Sequence, residues 1–224
     1  MSAAQPTSKS PTRTARPSLR AALGSALRPL RIVSFEIDLD PLKLAAKFAS
    51  HFPHLRHGAP HAILESGRWQ HSTGLLQWEL LHGDFLAMFE SAPVPDLIFY
   101  DPFSAKTDTG LWTSDVFRRI AKYAAPKSAE LYTYSAATAV RVSLLTAGFF
   151  VAAGVGTGPK ADTTLAFTRA DGHVNHPAAP KLLGEDWLGR WRRSDSKYPK
   201  NLPETERPLF EQVIERHPQF ASDR

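Results

Sequence analysis

Cysteine is absent from the 224 residues. That excludes disulfides, thiolate nucleophiles and cysteine-ligated metal, and fits a cytoplasmic chain. No apolar run reaches the roughly 18 residues that a membrane-spanning helix needs, so no membrane partner is expected. Acid is missing from the start: no Asp or Glu precedes Glu36, whereas six Lys or Arg do. Glycine is nearly missing there too, since only Gly24 precedes Arg31. The chain also lacks a Gly-Lys-Ser/Thr phosphate loop, a nucleophile elbow and any internal repeat.

What is present is basic and hydrophobic enough to fold. The net charge is +5 with a pI near 9.6, a balance that favours a polyanion partner such as RNA. Apolar residues make up 42% of the chain, enough for one core of moderate size with appendages. Residues 1–18 are polar, Pro-rich and basic, and are expected to be disordered; an acid-free, Arg-rich start is also the composition of a transit peptide. Residues 19–170 read as the folded domain. Residues 171–224 read as a separate Trp-rich and basic extension.

Within that domain strands and helices alternate. Leu19, Leu23 and Leu27 have helical spacing. Arg31–Phe35 is a strand ending at Glu36. Pro41–Ser50 is a helix opened by proline in its first turn. Residues 51–75 form a loop region with a short helix near Ala59–Leu64. Leu76–Leu81 is a strand ending in His82-Gly83-Asp84. Leu97–Tyr100 is a strand stopped at Asp101-Pro102, because proline has no backbone N–H for the ladder. Ser114–Tyr123 is a helix with Thr113 or Ser114 as N-cap. Glu130–Tyr134 is a strand, and Ala136–Ala147 is a helix stopped by Gly148. Phe149–Val155 and Thr163–Thr168 are the last strands, close enough in sequence to pair antiparallel. The alternation predicts an α/β fold with a Rossmann-like, mostly parallel sheet and an antiparallel last strand.

The chemistry sits at strand ends, where open α/β sheets bind ligands. Glu36 ends one strand, and a carboxylate there can accept both hydroxyls of a ribose. Asp84 ends the next and can accept from an adenine amino group. Asp101 ends the third, with Phe103 and Ser104 on the same loop, and Thr133-Tyr134-Ser135 end the fourth. As a bland alternative, Asp101 simply caps its loop. His51, His54, His57 and His61 crowd one loop without the Cys or acid partners of a typical metal site. In the extension, Trp187 and Trp191 stand among Arg190, Arg192, Arg193, Lys197 and Lys200. They form either a nucleic-acid strip or, with Glu185, Asp186 and Asp195 interleaved, a helix docked through its tryptophans with its charges in water. The second reading is preferred.

The order acid, GDF, DPFSAKTDTGLW, TYSAATAVRVSLLTAGF and GTGPK resembles the MnmC-like tRNA wobble-uridine methyltransferase family over roughly Arg31 to Thr168. The family pattern is close to D-x-F-x-P-x-x-N-P-x-x-W and T-Y-T/S-A followed by an arginine. This chain has Ala105 and Asp108-Thr109 where the family carries Pro and Asn-Pro, and Lys160 is followed by Ala161 where a Lys-Arg pair is usual. The resemblance implies an S-adenosylmethionine-dependent enzyme that methylates the amino group of 5-aminomethyl-2-thiouridine at tRNA position 34. It places Asp101 beside that amine, with Phe103 and Tyr134 shaping the pocket. Glu36, Asp84 and Asp101 would face the cofactor. Lys106, Arg141 and Lys160 would serve the substrate, although Arg141 also suits a structural role.

Such enzymes open with a strand and a Gly-rich turn that lets backbone approach the cofactor's methionine end. That strand and turn are expected to be missing here, with LRAALGSALRPL as the helix that normally follows them. A start placed too far downstream, or a frameshift near the beginning, accounts for this best; the alternative is a truncated or degenerate family member without activity, acting if at all as an RNA- or protein-binding module. A third alternative is an enzyme methylating a small amine.

Overall fold

The computed structural model describes residues 28–103, 108–156, 162–195, 197–199 and 201–223. The expected N-terminal disorder and the Leu-spaced segment fall outside these residues. The chain divides into two compact units, Met1–Phe89 and Glu90–Arg224, each built on its own sheet.

The first unit runs β1 (Leu30–Glu36), α1 (Asp40–Lys47), α2 (Gly58–Ser66), β2 (Arg68–Gln70), β3 (Leu76–His82) and α3 (Phe85–Met88). Its sheet has the order β1-β3-β2. β1 and β3 are parallel and in register from Leu30 opposite Leu76 to Glu36 opposite His82. The Trp78 indole N–H donates to Ser34 Oγ across this pair at 2.8 Å. β2 was not anticipated within the 51–75 loop. Three residues show no usable period, and what makes them a strand is their antiparallel pairing with β3. α1 starts with Pro41 in its first turn as expected.

The second unit runs β4 (Leu97–Phe99), α4 (Ser114–Ala124), β5 (Glu130–Thr133), α5 (Thr138–Thr146), β6 (Phe150–Val155), β7 (Asp162–Phe167), α6 (Gly172–Asn175), α7 (Glu185–Arg192) and α8 (Arg207–Glu215). The strand order is β4-β5-β7-β6, with β4 parallel to β5 and β7 antiparallel to both neighbours. The fold is α/β and Rossmann-like, with the antiparallel last pair that the short connection predicted. Its strands are shared between two sheets rather than one. Thr113 is the N-cap of α4, its side chain accepting from the Val116 N–H at 3.3 Å. Val116, Phe117, Ile120 and Ala124 form the buried stripe of that helix, while Arg118, Arg119 and Lys122 face water. Phe117, Leu131, Leu144, Phe149 and Phe167 lie at the centre of the core.

The extension from Asp171 packs within this second unit. Trp187 and Trp191 are buried, as the preferred reading required. The Trp191 N–H donates to the Lys197 carbonyl at 3.0 Å. Arg192 pairs with Glu215 and Lys197 with Glu211, so two of the basic residues are spent on local ion pairs. Lys200 lies outside the described residues. The extension also covers the open side of β6. Leu182 bridges to Ala152, and the Gln219 amide accepts from the Val151 N–H at 2.6 Å while donating to the carbonyls of Val151 and Leu183, each at 2.8 Å. Exposed edge strands recruit unwanted partners, and this cover removes one.

His217 sits in that cover, buried against Phe150 and Phe220. Burial pushes its pKa down to about 4 from 6.5, because the apolar surroundings disfavour the charged ring. As pH falls below 6.5 the unfolded chain takes up this proton first, so stability falls until the folded ring also titrates near 4. The loss over this window is about 3 kcal/mol at ~1.4 kcal/mol per pKa unit. His217→Phe should flatten this segment of the profile, as read by urea unfolding at pH 7.5 and at pH 4.5. An unchanged slope in the variant would show that other groups carry the pH dependence.

Candidate active site

In the first unit two carboxylates stand at the carboxyl ends of adjacent parallel strands. Glu36 ends β1, and its Oε1 accepts from the backbone N–H groups of Ile37 at 2.9 Å and Asp38 at 3.1 Å. β3 ends at His82, the register partner of Glu36, and the Gly83 N–H donates to the Glu36 carbonyl at 2.9 Å. Gly83 has φ +151°, and a Cβ there would lie 2.6 Å from Met88 Sδ. The Met88 thioether is flexible enough to move aside, so the glycine is explained chiefly by its positive φ, which side-chain-bearing residues rarely adopt. The turn delivers Asp84 as N-cap of α3, its Oδ1 accepting from the Leu86 N–H at 3.0 Å. A carboxylate has two oxygens, and in each acid local backbone engages one of them. Both side chains are exposed. Such a pair, oriented from behind, can accept from hydroxyl or amino groups of a ligand.

In the second unit the corresponding strand ends carry Asp101 and Tyr134. The Tyr100 N–H extends the ladder by donating to the Tyr132 carbonyl at 2.8 Å, after which Pro102 stops it. Asp101 and Phe103 are exposed. Tyr134 is half-buried, and its pKa is raised by burial and by the negative charge of Asp101. Both residues follow the carboxyl ends of the neighbouring parallel strands β4 and β5. With its pKa raised, Tyr134 stays a phenol at neutral pH, able to donate a hydrogen bond, and the carboxylate of Asp101 is able to accept one.

Sequence reasoning did not assign a function to the residues that hold this loop. Trp112, 5% exposed, donates its indole N–H to the Phe103 carbonyl at 2.8 Å. Its ring meets Tyr100 edge-on at 5.4 Å and Tyr134 at 6.0 Å. The buried Tyr100 hydroxyl donates to the Leu111 carbonyl, and burial raises its pKa. The available signal was Trp112 itself, a large ring closing a polar loop.

Arg141 is buried rather than presented to solvent, with 6% exposure. Its Nη2 pairs with Asp162 Oδ2 at 2.6 Å and donates to the Thr163 carbonyl at 2.9 Å, and its Nε donates to Thr164 Oγ1 at 3.0 Å. All three partners are the first three residues of β7. Lys106 and Lys160, the other residues proposed for substrate, lie outside the described residues. Of the clustered histidines, His57 Nδ1 caps α2 by accepting from the Ala59 N–H, and His61 donates to the Leu55 carbonyl at 3.1 Å. Among the described residues no group of three His, Cys, Asp or Glu side chains gathers at metal-binding range.

A family model described as S-adenosyl-L-methionine-dependent methyltransferase matches residues 46–169, more than half of the chain. The chain belongs to this family. The cofactor of this methyltransferase is accordingly S-adenosylmethionine. The match spans Asp84, Asp101, Phe103, Trp112, Tyr134 and Arg141, and Glu36 lies ahead of it. The methyltransferase is similar to the crystal structure of MNMC2 from Aquifex aeolicus, with a TM-score of 0.50 and 20% identity over 83% of this chain. It spans 66% of that chain's length. A likeness at this identity is one of fold. A search of the curated proteins finds no match. Among the described residues no helix is long and apolar enough to cross a membrane.

Proposed function

We propose that this methyltransferase acts in the cytoplasm on tRNA, methylating the primary amine of 5-aminomethyl-2-thiouridine at position 34. The observation that supports this reading is the position of Asp101 and Tyr134 at the ends of neighbouring parallel strands, on the two motifs that resemble the wobble-uridine enzymes. S-adenosylmethionine supplies an electrophilic methyl group on a sulfonium. With the cofactor bound, the amine would have to arrive unprotonated, its lone pair free to take the methyl group as the C–S bond breaks. Asp101 accepts a hydrogen bond from the amine, aims the lone pair and takes the proton released afterwards. Tyr134 donates to that carboxylate or to the substrate, and Phe103 provides an apolar wall. Glu36 and Asp84 would hold the ribose hydroxyls and the adenine amino group, and the second oxygen of each exposed acid suits that task. Lys106 and Lys160 serve tRNA phosphates, consistent with the net charge of +5. The burial of Arg141 supports the structural one of its two roles.

The test offers cofactor carrying a labelled methyl group to three acceptors: tRNA containing 5-aminomethyl-2-thiouridine, the same tRNA unmodified, and a panel of small primary amines. Label confined to the modified tRNA is the expected result. Equal labelling of small amines, or of unmodified tRNA, would overturn the substrate assignment. The cofactor side has its own check. Glu36→Ala should weaken S-adenosylmethionine binding roughly 10- to 100-fold in a calorimetric titration, because a hydrogen bond to a charged group contributes ~1.5–3 kcal/mol. An unchanged Kd would remove Glu36 from the cofactor site.

A further inference from the structure

Trp112 touches both parts of the proposed site through different atoms. Its indole N–H donates to the main-chain carbonyl of Phe103, two residues beyond Asp101, at 2.8 Å. Its ring lies 6.0 Å, centre to centre, from the ring of Tyr134, at an interplanar angle of 83°. Behind it the ring packs against Tyr100 at 5.4 Å and Phe117 at 6.4 Å, and Phe117 is fully buried. The Tyr100 hydroxyl donates to the carbonyl of Leu111, the residue before Trp112. One buried indole is thus anchored to the core and reaches forward to a loop whose own side chains, Asp101 and Phe103, are exposed.

Proline explains why such an anchor is needed. Pro102 ends the ladder with β5, so beyond Tyr100 the strand hydrogen bonds no longer hold the backbone. The Trp112 donor replaces them at Phe103. We infer that Trp112 is a positioning residue for methyl transfer: its N–H, rather than its bulk, fixes Asp101-Pro102-Phe103 against Tyr134. This rests on the assignment of Asp101 to the reaction. A displacement of about 1 Å in a reacting group is enough to lower a rate ~10²-fold, so one hydrogen bond has more influence on turnover than on folding.

Trp112→Phe keeps an aromatic ring but removes the donor together with part of the indole's bulk, so the lost volume needs its own control. Trp191 provides a matched control, since it is also buried and its N–H also donates to a main-chain carbonyl, that of Lys197 at 3.0 Å. Trp112→Phe should lower kcat roughly 10- to 100-fold with little change in KM for S-adenosylmethionine. Trp191→Phe should leave kcat within about twofold at a similar shift in Tm. Tyr100→Phe removes the second tie and should also lower kcat, which keeps the inference testable if Trp112→Phe is recovered in low yield. Equal kcat for Trp112→Phe and Trp191→Phe, or a normal kcat for Tyr100→Phe, would overturn it. Asp101→Asn measured alongside separates the two claims. Loss in Asp101→Asn with no loss in Trp112→Phe refutes the positioning role alone, and no loss in Asp101→Asn refutes the reading beneath it.

Discussion

Asp101→Asn should lower methyl transfer by ~10²–10⁴-fold while leaving the fold intact, the range expected when a positioned acid–base group is lost. The substitution is nearly isosteric. It removes the negative charge that favours an amine's N–H and stabilises the cation formed as the N–C bond closes. Folding should be untouched, because Asp101 is exposed and follows the last ladder bond of β4. A second readout is local. The charge of Asp101 helps to raise the Tyr134 pKa, so in the variant Tyr134 should titrate at a lower pH than in the parent. Ultraviolet titration follows that change without any need for turnover. Unchanged transfer to tRNA in Asp101→Asn would sink the catalytic assignment, and an unchanged Tyr134 titration would sink the proposed proximity.

Asp162→Ala is expected to be the most destabilising of the polar substitutions, and more damaging than removal of its partner. The two ends of this ion pair are unequally placed. The Arg141 side chain is 8% exposed and that of Asp162 is 38% exposed. Removing the acid leaves a guanidinium buried with only Thr164 Oγ1 and the Thr163 carbonyl as neutral acceptors. Stranding a buried charge in this way costs about 3–5 kcal/mol. Removing the arginine instead leaves an acid that water can reach. Arg141→Met, which refills most of the volume, should therefore cost only ~1–2 kcal/mol, chiefly from the buried Thr164 hydroxyl losing its donor. Urea unfolding of both variants measures the difference. Equal losses would mean that Asp162 is not the partner that holds the guanidinium charge. Activity adds a separate discrimination: if Arg141 binds phosphate, Arg141→Met raises KM for tRNA, whereas a bracing role leaves KM unchanged.

Much of the architecture follows from local pattern. Leu97–Tyr100 reads as a strand from four apolar residues in a row, and it stops where proline removes a donor. Thr113 caps the helix that begins at Ser114, because the capping hydroxyl needs only a backbone N–H three residues ahead. The short link between β6 and β7 allows only an antiparallel pair. β2 escaped this logic, since its three residues become a strand only by finding β3. The same holds for Arg141. Its place in the first turns of a helix suits solvent as well as core, and the choice was made by Asp162, 21 residues later in the chain.

By itself the sequence determined the alternation of strands and helices, the polar residues at the strand ends, and the two motifs that mark a methyltransferase. Each of these depends on neighbours within a few residues, where backbone sterics and side-chain period operate. Tertiary structure decided the rest. It distributed the strands between two sheets, buried Trp187 and Trp191 beneath a helix surface of mixed charge, and turned Arg141 inward. It also aimed the Trp112 indole at the Phe103 carbonyl. Those outcomes depend on which donor meets which acceptor once the chain has packed, and on how far each charge then stands from water.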